Sequence, residues 1–397
     1  MVGALSGIRV LDLGRFVAAP FCAMLLADLG ADVIRIERPG GNEDRFMGFN
    51  MPVGYSYIFA NLNRNKRAIT LNFEKSEKGK QMLFDLVKHS DVVVHNFSPE
   101  AAKAMGVTYE NFKAVKPDIV YAQVSAFGNI GPYKNRIGFD QIIKAMSGAM
   151  WISGFPGAPT KEQTPHVDYM TACLTTIGIV SALYHREKTG QGQVVDTSLL
   201  QTGVMMTAPF ISEWELGKKL RPQVGNRSQF YGPCDLYPTK DGRWVWVAVI
   251  TNSIWRRFCK YIGREDLLKD KRFKEDFDRW EYRDILDPLV ANWVASQTAE
   301  EVIAASEKIP IPAGICYKQS EVANDPQVKA TGVLSLVSSP DGSGNVNVTS
   351  PPLKMSVTPT KIYRSFPAVG QHNEEVFGKM LGYTNEQLSK SKEEGVI

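Results

Sequence analysis

The sequence is poor in cysteine, and its few cysteines lie far apart. The 397 residues include five of them: Cys22, Cys173, Cys234, Cys259 and Cys316. Their number is odd and no two form a CxxC pair, which argues against a disulfide framework and against a structural zinc site. We therefore expect reduced thiols, a cytoplasmic protein and no bound metal.

The sequence also lacks a strong excess of charge of either sign. Its formal net charge is +4, charged residues make up 22% of the chain, and no long block of like charges occurs. An excess this small does not indicate binding to nucleic acid, but it is compatible with a small anionic ligand.

Long hydrophobic runs are absent as well. The longest candidate, residues 172–184, is shorter than the roughly 18 residues of a membrane span and contains Thr and Ser. The first residues, MVGALSGIRVLDLG, show no basic segment followed by a long apolar run, so they do not have the pattern of a signal peptide. We expect no membrane segment.

The sequence does contain an alternation of strand-like and helix-like stretches. Short apolar runs typical of buried strands occur in IRVLDLG, DVIRIERPGG, AITLNF, DVVVHNF and DIVYAQVSAFG. Stretches with helical spacing, such as APFCAMLLADLGA and SEKGKQMLFDLVKHS, separate them. This alternation predicts βαβ units, a mostly parallel sheet and a Rossmann-like domain. The fingerprint GxGxxG is missing after the first strand, where the sequence is GRFVAAP, so we do not expect a standard NAD site.

The later part of the chain has a different character. A chain of this length is too long for one simple core, and two or three domains are expected. The stretch KKLRPQVGNRSQFYGP is rich in Gly, Pro and basic residues and indicates a linker. CDLYPTKDGRWVWVAV then has the pattern of a β-hairpin, and GNVNVTSPPLKMS that of a late strand pair.

A single carboxylate opens a long apolar helical stretch. Asp168 lies near the start of HVDYMTACLTTIGIVSALYH, and no acidic residue follows before Glu187. Asp is a favoured helix N-cap, because its carboxylate accepts hydrogen bonds from the unpaired N–H groups of the first turn. The same N–H groups and the helix dipole hold a carboxylate ionised, and an ionised carboxylate can act as a nucleophile. Spacing alone leaves both interpretations open.

Several stretches, in the same order along the chain, resemble the family III CoA-transferases, also called the CaiB/BaiF or formyl-CoA transferase family. They are GIRVLDLGRFVAAPFCAMLLADLGADVIRIERPGG, NLNRNKRAITLN, VVVHNFSPEAAKAMG, HVDYMTACLTTIGIVSALYHREKTGQGQVVDTSLL, PAGICYKQSEVANDPQV and VGQHNEEV. The resemblance implies an α/β fold with a Rossmann-like large domain and a small α+β domain, in an intertwined homodimer of interlocked rings. It assigns residues 1–220 to the N-terminal part of the large domain, residues 225–320 to the small domain and residues 325–397 to a C-terminal return to the large domain.

The resemblance also implies an activity, the transfer of CoA from an acyl-CoA donor to a free carboxylic acid. Asp168 matches the nucleophile of the family. Its attack on the donor thioester forms an aspartyl-acyl anhydride, and the CoA thiolate then forms an aspartyl-CoA thioester, from which the acceptor acid receives the CoA. Coenzyme A is thus a substrate, and the expected partners are acyl-CoA, a carboxylic acid and a second copy of the chain, without nucleic acid or membrane.

The CoA-binding positions of the family match residues in several loops. Val17 and Ala18 match the loop beside the pantetheine arm, and Arg38 matches an Arg that binds phosphate or ribose. The other matches are Leu71 beside adenine, Lys75 at a phosphate, Asn96 and Phe97 in the NF turn, Met105 before Gly, and Arg136 at a phosphate or the substrate.

The sequence departs from the family pattern at two places and matches it at a further acidic position. The family's frequent Arg is Ala104 here, so we expect Lys103 to contact the phosphate instead. Asp140 matches an acidic position near the nucleophile and is expected to contact the substrate. The glycines that cover the nucleophile in formyl-CoA transferases correspond only loosely to GNRSQFYGP.

Two other functions are compatible with these residues. The α-methylacyl-CoA racemases share several of the stretches, but they use the His of a GHD motif as a base. Phe139 takes that position here, and a phenyl ring cannot carry a proton. A non-catalytic CoA-binding protein would have no need for Asp168. The sequence does not identify the donor and acceptor acids.

Overall fold

The computed structural model describes residues 3–48 and 55–397, and the chain divides into two compact units. The first unit consists of Met1–Ser147, Gln163–Ala208 and Pro326–Ile397, and the second of Gly148–Glu162 and Pro209–Asp325. Gly148–Glu162 packs with the second unit, whereas the domain boundaries expected from the family resemblance place it in the first.

The first unit is built on a six-stranded parallel sheet, which confirms the predicted α/β class. Its strands are β1 (Arg9–Asp12), β2 (Asp32–Glu37), β3 (Arg67–Thr70), β4 (Val92–His95), β5 (Val120–Ser125) and β6 (Val194–Ser198). Their order in the sheet is β3-β2-β1-β4-β5-β6. The order reverses between β1 and β4, and ligands of open parallel sheets bind beyond the carboxyl ends of the strands at such a switch point.

Helices cover both faces of this sheet and build most of the second unit. In chain order the α-helices are α1 (Ala18–Asp28), α2 (Tyr57–Leu62), α3 (Glu77–Lys88), α4 (Pro99–Met105), α5 (Tyr109–Val115), α6 (Asp140–Met146), α7 (Ala149–Ile152), α8 (His166–Thr189), α9 (Leu199–Gly217), α10 (Asn252–Tyr261), α11 (Asp276–Glu281), α12 (Arg283–Ala295), α13 (Ala299–Lys308), α14 (Gln319–Val322), α15 (Pro326–Thr331) and α16 (Asn385–Glu393). Short 3-10 helices span Glu43–Phe46, Glu265–Lys269 and Lys271–Phe273, and Glu374–Met380 is a π-helix.

Helix α8 is the central helix on one face of the sheet. It packs against α1, β5 and β6, and its buried residues Ala172 and Ile179 join the core formed by α1 and the strands. Gly178 faces β6, where an added Cβ atom would lie 2.6 Å from Val195 Cγ1, so glycine permits this close approach. Within the described residues, α8 is the one helix with the length and mean hydropathy, 1.3, of a membrane span. Its buried face is that of a core helix.

The other face of the sheet carries a second core. Helices α3 and α5 pack there with the C-terminal part of the chain, and Phe112, Phe377 and Val376 are fully buried in it. Residues far apart in sequence close this face: Ala68 N donates to Nδ1 of His372, and Thr70 N donates to Oδ1 of Asn373.

Within the described residues, five further strands form antiparallel sheets outside the central one. The second unit contains β7 (Cys234–Pro238), β8 (Trp244–Ala248) and β9 (Ala313–Ile315) in the order β7-β8-β9. The first pair is the predicted hairpin. In the first unit β10 (Leu334–Ser338) pairs with β11 (Asn345–Thr349). The predicted late strand pair was placed too far downstream, because Pro351 and Pro352 have no N–H for a ladder and the partner strand precedes the turn.

A cluster of buried charges lies at the carboxyl ends of β1 and β2. Three carboxylates and three cations are each at most 3% exposed: Asp12, Arg35, Glu37, Asp44, Arg45 and Lys66. Arg35 is the centre, with its guanidinium 2.7 Å from Asp44 Oδ2, 3.5 Å from Glu37 Oε1 and 3.6 Å from Asp12 Oδ2. Equal numbers of opposite charges make burial tolerable, since an unpaired charge in this environment is very costly.

Removing the central cation is predicted to destabilise the first unit. Arg35→Met leaves three buried carboxylates opposite two cations, and breaking a buried ion pair in this way costs about 3–5 kcal/mol. Urea titration should show that loss in the free energy of unfolding. The control Arg38→Met, at an exposed position, should change it by no more than about 0.5 kcal/mol. Equal stabilities of the two variants would contradict the role of Arg35.

Candidate active site

The loop after β1 lies at the switch point and is held by side chains from two other segments, the turn after β4 and the 3-10 helix Glu43–Phe46. The side-chain amide of Asn96 binds both backbone groups of Arg15, accepting from Arg15 N at 2.8 Å and donating to Arg15 O at 2.7 Å. Phe16 N donates to Oδ2 of Asp44 at 3.2 Å, and Phe16 has a φ of +65°, in the left-handed region. Asn96 therefore shapes the loop that the resemblance assigns to the pantetheine arm.

A cavity of about 270 Å3 opens beside this loop. It brings together five of the predicted site residues: Val17, Ala18, Asn96, Arg136 and Asp168. The other residues that line it are Phe16, Ser98, Val124, Ser125, Ala126, Lys134, Ile137, Gly138, Phe139 and Leu199. We call this the reactive cavity, because it contains the carboxylate predicted to be the nucleophile.

Asp168 is not the N-cap of its helix, which corrects one of the two interpretations of its position. Helix α8 begins at His166, the capping position is Pro165, and Pro165 makes no side-chain cap. The cap comes from Asp140, whose Oδ1 accepts from Val167 N at 2.9 Å and from Asp168 N at 3.3 Å. An aspartate from another helix thus satisfies the first turn and leaves the carboxylate of Asp168 for another role.

The pKa of Asp168 also differs from the expectation. The helix end was expected to hold this carboxylate ionised, but burial, with a smaller contribution from the negative charge of Asp140, raises its pKa to about 7. Lys144 acts in the opposite direction. A carboxylate with a pKa near neutrality is a better nucleophile than an ordinary one, because it is more basic, yet it is still substantially ionised at neutral pH.

Asp140 occupies a position other than the expected contact with substrate. It is 3% exposed, and besides the two backbone N–H groups it binds the Lys144 ammonium, 3.0 Å from its Oδ2. Lys144 in turn donates to the carbonyl of Thr164, just before α8. Among the described residues, Asp140 is not part of the wall of the reactive cavity. Its oxygens join α6 to the first turn of α8.

Two aromatic rings, Phe16 and Phe139, and two cations, Lys134 and Arg136, form part of the wall of the reactive cavity. Phe16 and Phe139 meet edge to face with their ring centres 5.8 Å apart. The guanidinium of Arg136 lies over the rings of Phe127 and Tyr133, 5.7 and 5.3 Å from their centres. Phe139 therefore lines the cavity at the position where a racemase has its His.

A second cavity of about 310 Å3, the basic cavity, contains four more predicted residues: Arg38, Leu71, Lys75 and Phe97. Arg15, Asn42, Asn72, Glu74 and Gly395 also line it, together with Leu13, Ile36, Pro39 and Phe73. Three cations face one carboxylate here, which suits a ligand with several negative charges. Arg38 also forms an ion pair with Glu43, with its Nη2 2.5 Å from Oε1 of the carboxylate.

Besides Asp140, two predicted residues lie outside both cavities. Lys103 is exposed on α4, and Met105 packs against the core on the α3 and α5 face of the sheet. Since neither side chain lines a cavity, the structure does not bring them to the other predicted residues. Sequence reasoning in turn missed Arg15, Phe16 and Lys134. The position of Arg15 and Phe16 directly after the first strand was the available signal, because that loop reaches the switch point.

The two cavities share the same loops. The segment after β1 contributes Leu13 and Arg15 to the basic cavity and Phe16 to the reactive cavity, and the segment after β4 contributes Phe97 to the former and Asn96 to the latter. This arrangement suits an elongated ligand with an anionic end and an electrophilic end. A carboxylate of raised pKa in the reactive cavity can attack such an electrophile.

Comparison with known proteins agrees with the family resemblance of the sequence. The model of CoA-transferase family III matches residues 5–373. A succinyl-CoA–D-citramalate CoA-transferase from Chloroflexus aurantiacus is 34% identical, over 99% of this chain and 98% of the relative. A formyl-CoA:oxalate CoA-transferase from Streptomyces coelicolor is also 34% identical, over 99% of each chain.

A solved structure shows the same fold. The crystal structure of a CaiB/BaiF family protein from Brucella suis matches with a TM-score of 0.84 at 29% identity, covering 96% of this chain and 100% of that one. The family model and relatives of this identity span nearly the full length. The chain therefore belongs to CoA-transferase family III and is an enzyme that transfers CoA.

Proposed function

We propose that Asp168 is the nucleophile that carries CoA from an acyl-CoA donor to a free carboxylic acid. The observation that carries the proposal is the position of its carboxylate. It lines the reactive cavity at the switch point of the sheet, and Asp140 takes over the capping of its helix.

The transfer then proceeds through four acyl-transfer steps. The Asp168 carboxylate attacks the thioester carbon of the donor, and the CoA thiolate leaves from an aspartyl-acyl anhydride. The thiolate attacks the aspartyl carbonyl, which releases the donor acid and leaves an aspartyl-CoA thioester. The acceptor carboxylate attacks this thioester and expels the thiolate from a second anhydride. The thiolate finally attacks the acceptor's acyl carbon, which yields the new acyl-CoA and restores Asp168.

We propose that CoA extends from the basic cavity into the reactive cavity. We place its phosphates in the basic cavity with Arg38 and Lys75, its adenine beside Leu71, and its pantetheine arm along Val17 and Ala18. The acyl thioester then enters the reactive cavity. The aromatic pair Phe16 and Phe139 excludes water there, which protects the anhydride and the aspartyl thioester from hydrolysis.

For the acids, we propose small dicarboxylates, with succinyl-CoA as a donor. Support comes from the relatives, whose names contain succinyl-CoA, citramalate and oxalate. Support also comes from Lys134 and Arg136, two cations that line the same cavity as Asp168 and can pair with a second carboxylate.

The active form is proposed to be a homodimer. Helix α8 exposes the apolar side chains of Met170, Ile177, Val180 and Tyr184, of which Ile177 is 62% and Tyr184 64% exposed. Apolar patches on this scale in a soluble enzyme mark contact surfaces. The intertwined architecture implied by the family resemblance would cover them. We further propose the cytoplasm as its location, where the five free thiols stay reduced.

Asp168→Asn is predicted to abolish transfer and preserve CoA binding. An amide cannot form the anhydride, so the rate should fall about 1,000-fold or more, while calorimetry should give the wild-type affinity for CoA. The wild type, given succinyl-CoA without an acceptor, should gain a CoA-sized adduct by intact-mass spectrometry. Hydroxylamine should convert this adduct to a hydroxamate at residue 168. Transfer at the wild-type rate by the Asn variant would refute the assignment.

The pH dependence of kcat/KM should report the raised pKa of Asp168. The ionised form attacks, so kcat/KM should rise with pH and level off above about 7. Because the charge of Asp140 raises this pKa, Asp140→Asn should move the acid limb to lower pH. Asp118→Asn, outside both cavities, is the matched control and should leave the limb in place. A wild-type limb near the ordinary value of 3.8 would contradict the burial argument.

The dimer should persist at low protein concentration, because interlocked chains cannot separate without unfolding. Sedimentation velocity should show one species of twice the chain mass across a wide dilution series. Ile177→Lys, in the middle of the exposed apolar side chains of α8, should reduce the yield of folded dimer. Lys188→Glu, near the end of the same helix, should not. A wild-type monomer at any concentration would contradict the interlocked architecture.

A further inference from the structure

Among the described side chains that line the basic cavity, Glu74 is the one carboxylate. It follows β3 in the turn before α3, and its Oε1 makes a short ion pair with Nη2 of Arg15. Arg15 and Glu74 side chains are 25% and 29% exposed, so this pair is partly shielded from solvent. In this structure the carboxylate thus occupies the position next to Arg15 that an anionic ligand would take.

The two partners are held very differently. The backbone of Arg15 is bound on both sides by the Asn96 amide, and its guanidinium lies over the ring of Phe97, 5.5 Å from the centre. Glu74 is in an exposed turn and has no comparable bracing by Asn96 or Phe97. Glu74 is therefore the less constrained partner of this ion pair.

We propose that Glu74 is an internal counter-ion that a phosphate of CoA must displace from Arg15, so that Arg15 is a phosphate ligand and Glu74 sets the affinity for CoA. The inference rests on the proposed function, which places the CoA phosphates in the basic cavity. Glu74 lowers the affinity for CoA because each binding event breaks the ion pair. It also neutralises one of three neighbouring cations when the cavity is empty, and it re-forms the pair when CoA leaves.

The proposal predicts that removing this carboxylate tightens CoA binding. Glu74→Gln should lower the Kd for CoA by about three- to fivefold in calorimetry at low ionic strength, the range expected for a partly exposed ion pair. Glu110→Gln, the same change of charge at an exposed position outside both cavities, is the matched control and should leave the Kd unchanged. Glu74→Ser, a second variant whose thermal midpoint is also measured, should shift the Kd in the same direction.

Three comparisons separate this mechanism from other causes. Pantetheine, which has no phosphate, should bind Glu74→Gln and the wild type equally. The gain should vanish in the double variant with Arg15→Gln, because the cation that the phosphate would gain is absent. With dephospho-CoA, a retained gain identifies the diphosphate as the competing anion and a lost gain identifies the 3′-phosphate; both results support the proposal.

Two kinds of failure are distinguishable. If wild-type CoA binds no more tightly than pantetheine, the nucleotide does not occupy the basic cavity, and the placement of CoA in the proposed function is wrong. If the wild type prefers CoA but Glu74→Gln and Glu74→Ser leave the Kd unchanged, or tighten pantetheine equally, the counter-ion inference is overturned while the proposed function stands.

Discussion

The buried guanidinium of Arg35 is the interaction on which the rest of the site depends. It joins carboxylates from β1, from its own strand and from the 3-10 helix after it, so three segments meet at one charge. Asp44, fixed by this pairing, accepts the N–H of Phe16 in its left-handed conformation. Arg35 also donates to the carbonyl of Gly14 at 3.3 Å. The loop after β1, which contributes residues to both cavities, is therefore held in place by a buried cluster with equal numbers of positive and negative charges.

Capping of α8 by Asp140 gives the site its chemistry. A helix whose own aspartate caps its first turn would hold that carboxylate in two hydrogen bonds and lower its basicity. Here the backbone N–H groups of the first turn bond to Asp140 of the neighbouring helix α6 instead. The negative charge of Asp140 also raises the pKa of Asp168. Asp140 thus leaves the Asp168 carboxylate out of the cap and increases its basicity, and Lys144 limits the repulsion between the two carboxylates.

Strands β1 to β5 were predictable because their side chains are buried on both faces, which produces runs such as VVV in β4. Their spatial order was not, since the sequence contains no record of which strand ends meet. Asp168 was identified through the family resemblance. The capping by Asp140 bridges 27 and 28 residues and the ion pair of Arg15 with Glu74 bridges 59, so neither appears in a local pattern. The pKa of Asp168 depends on burial, which only the folded chain defines.

The contacts that close the β3 side of the sheet have a consequence for the synthesis of the chain. Arg67 pairs with Glu375, Ala68 with His372 and Asn72 with Val396, separations of about 300 residues or more. A ribosome releases the N-terminal strands long before these partners exist. The residues of the second unit, Pro209–Asp325, emerge in between and have a core of their own. During this interval the β3 side of the nascent sheet lacks its C-terminal partners and leaves apolar surface exposed. We therefore expect the growing chain to depend most on a chaperone at this stage.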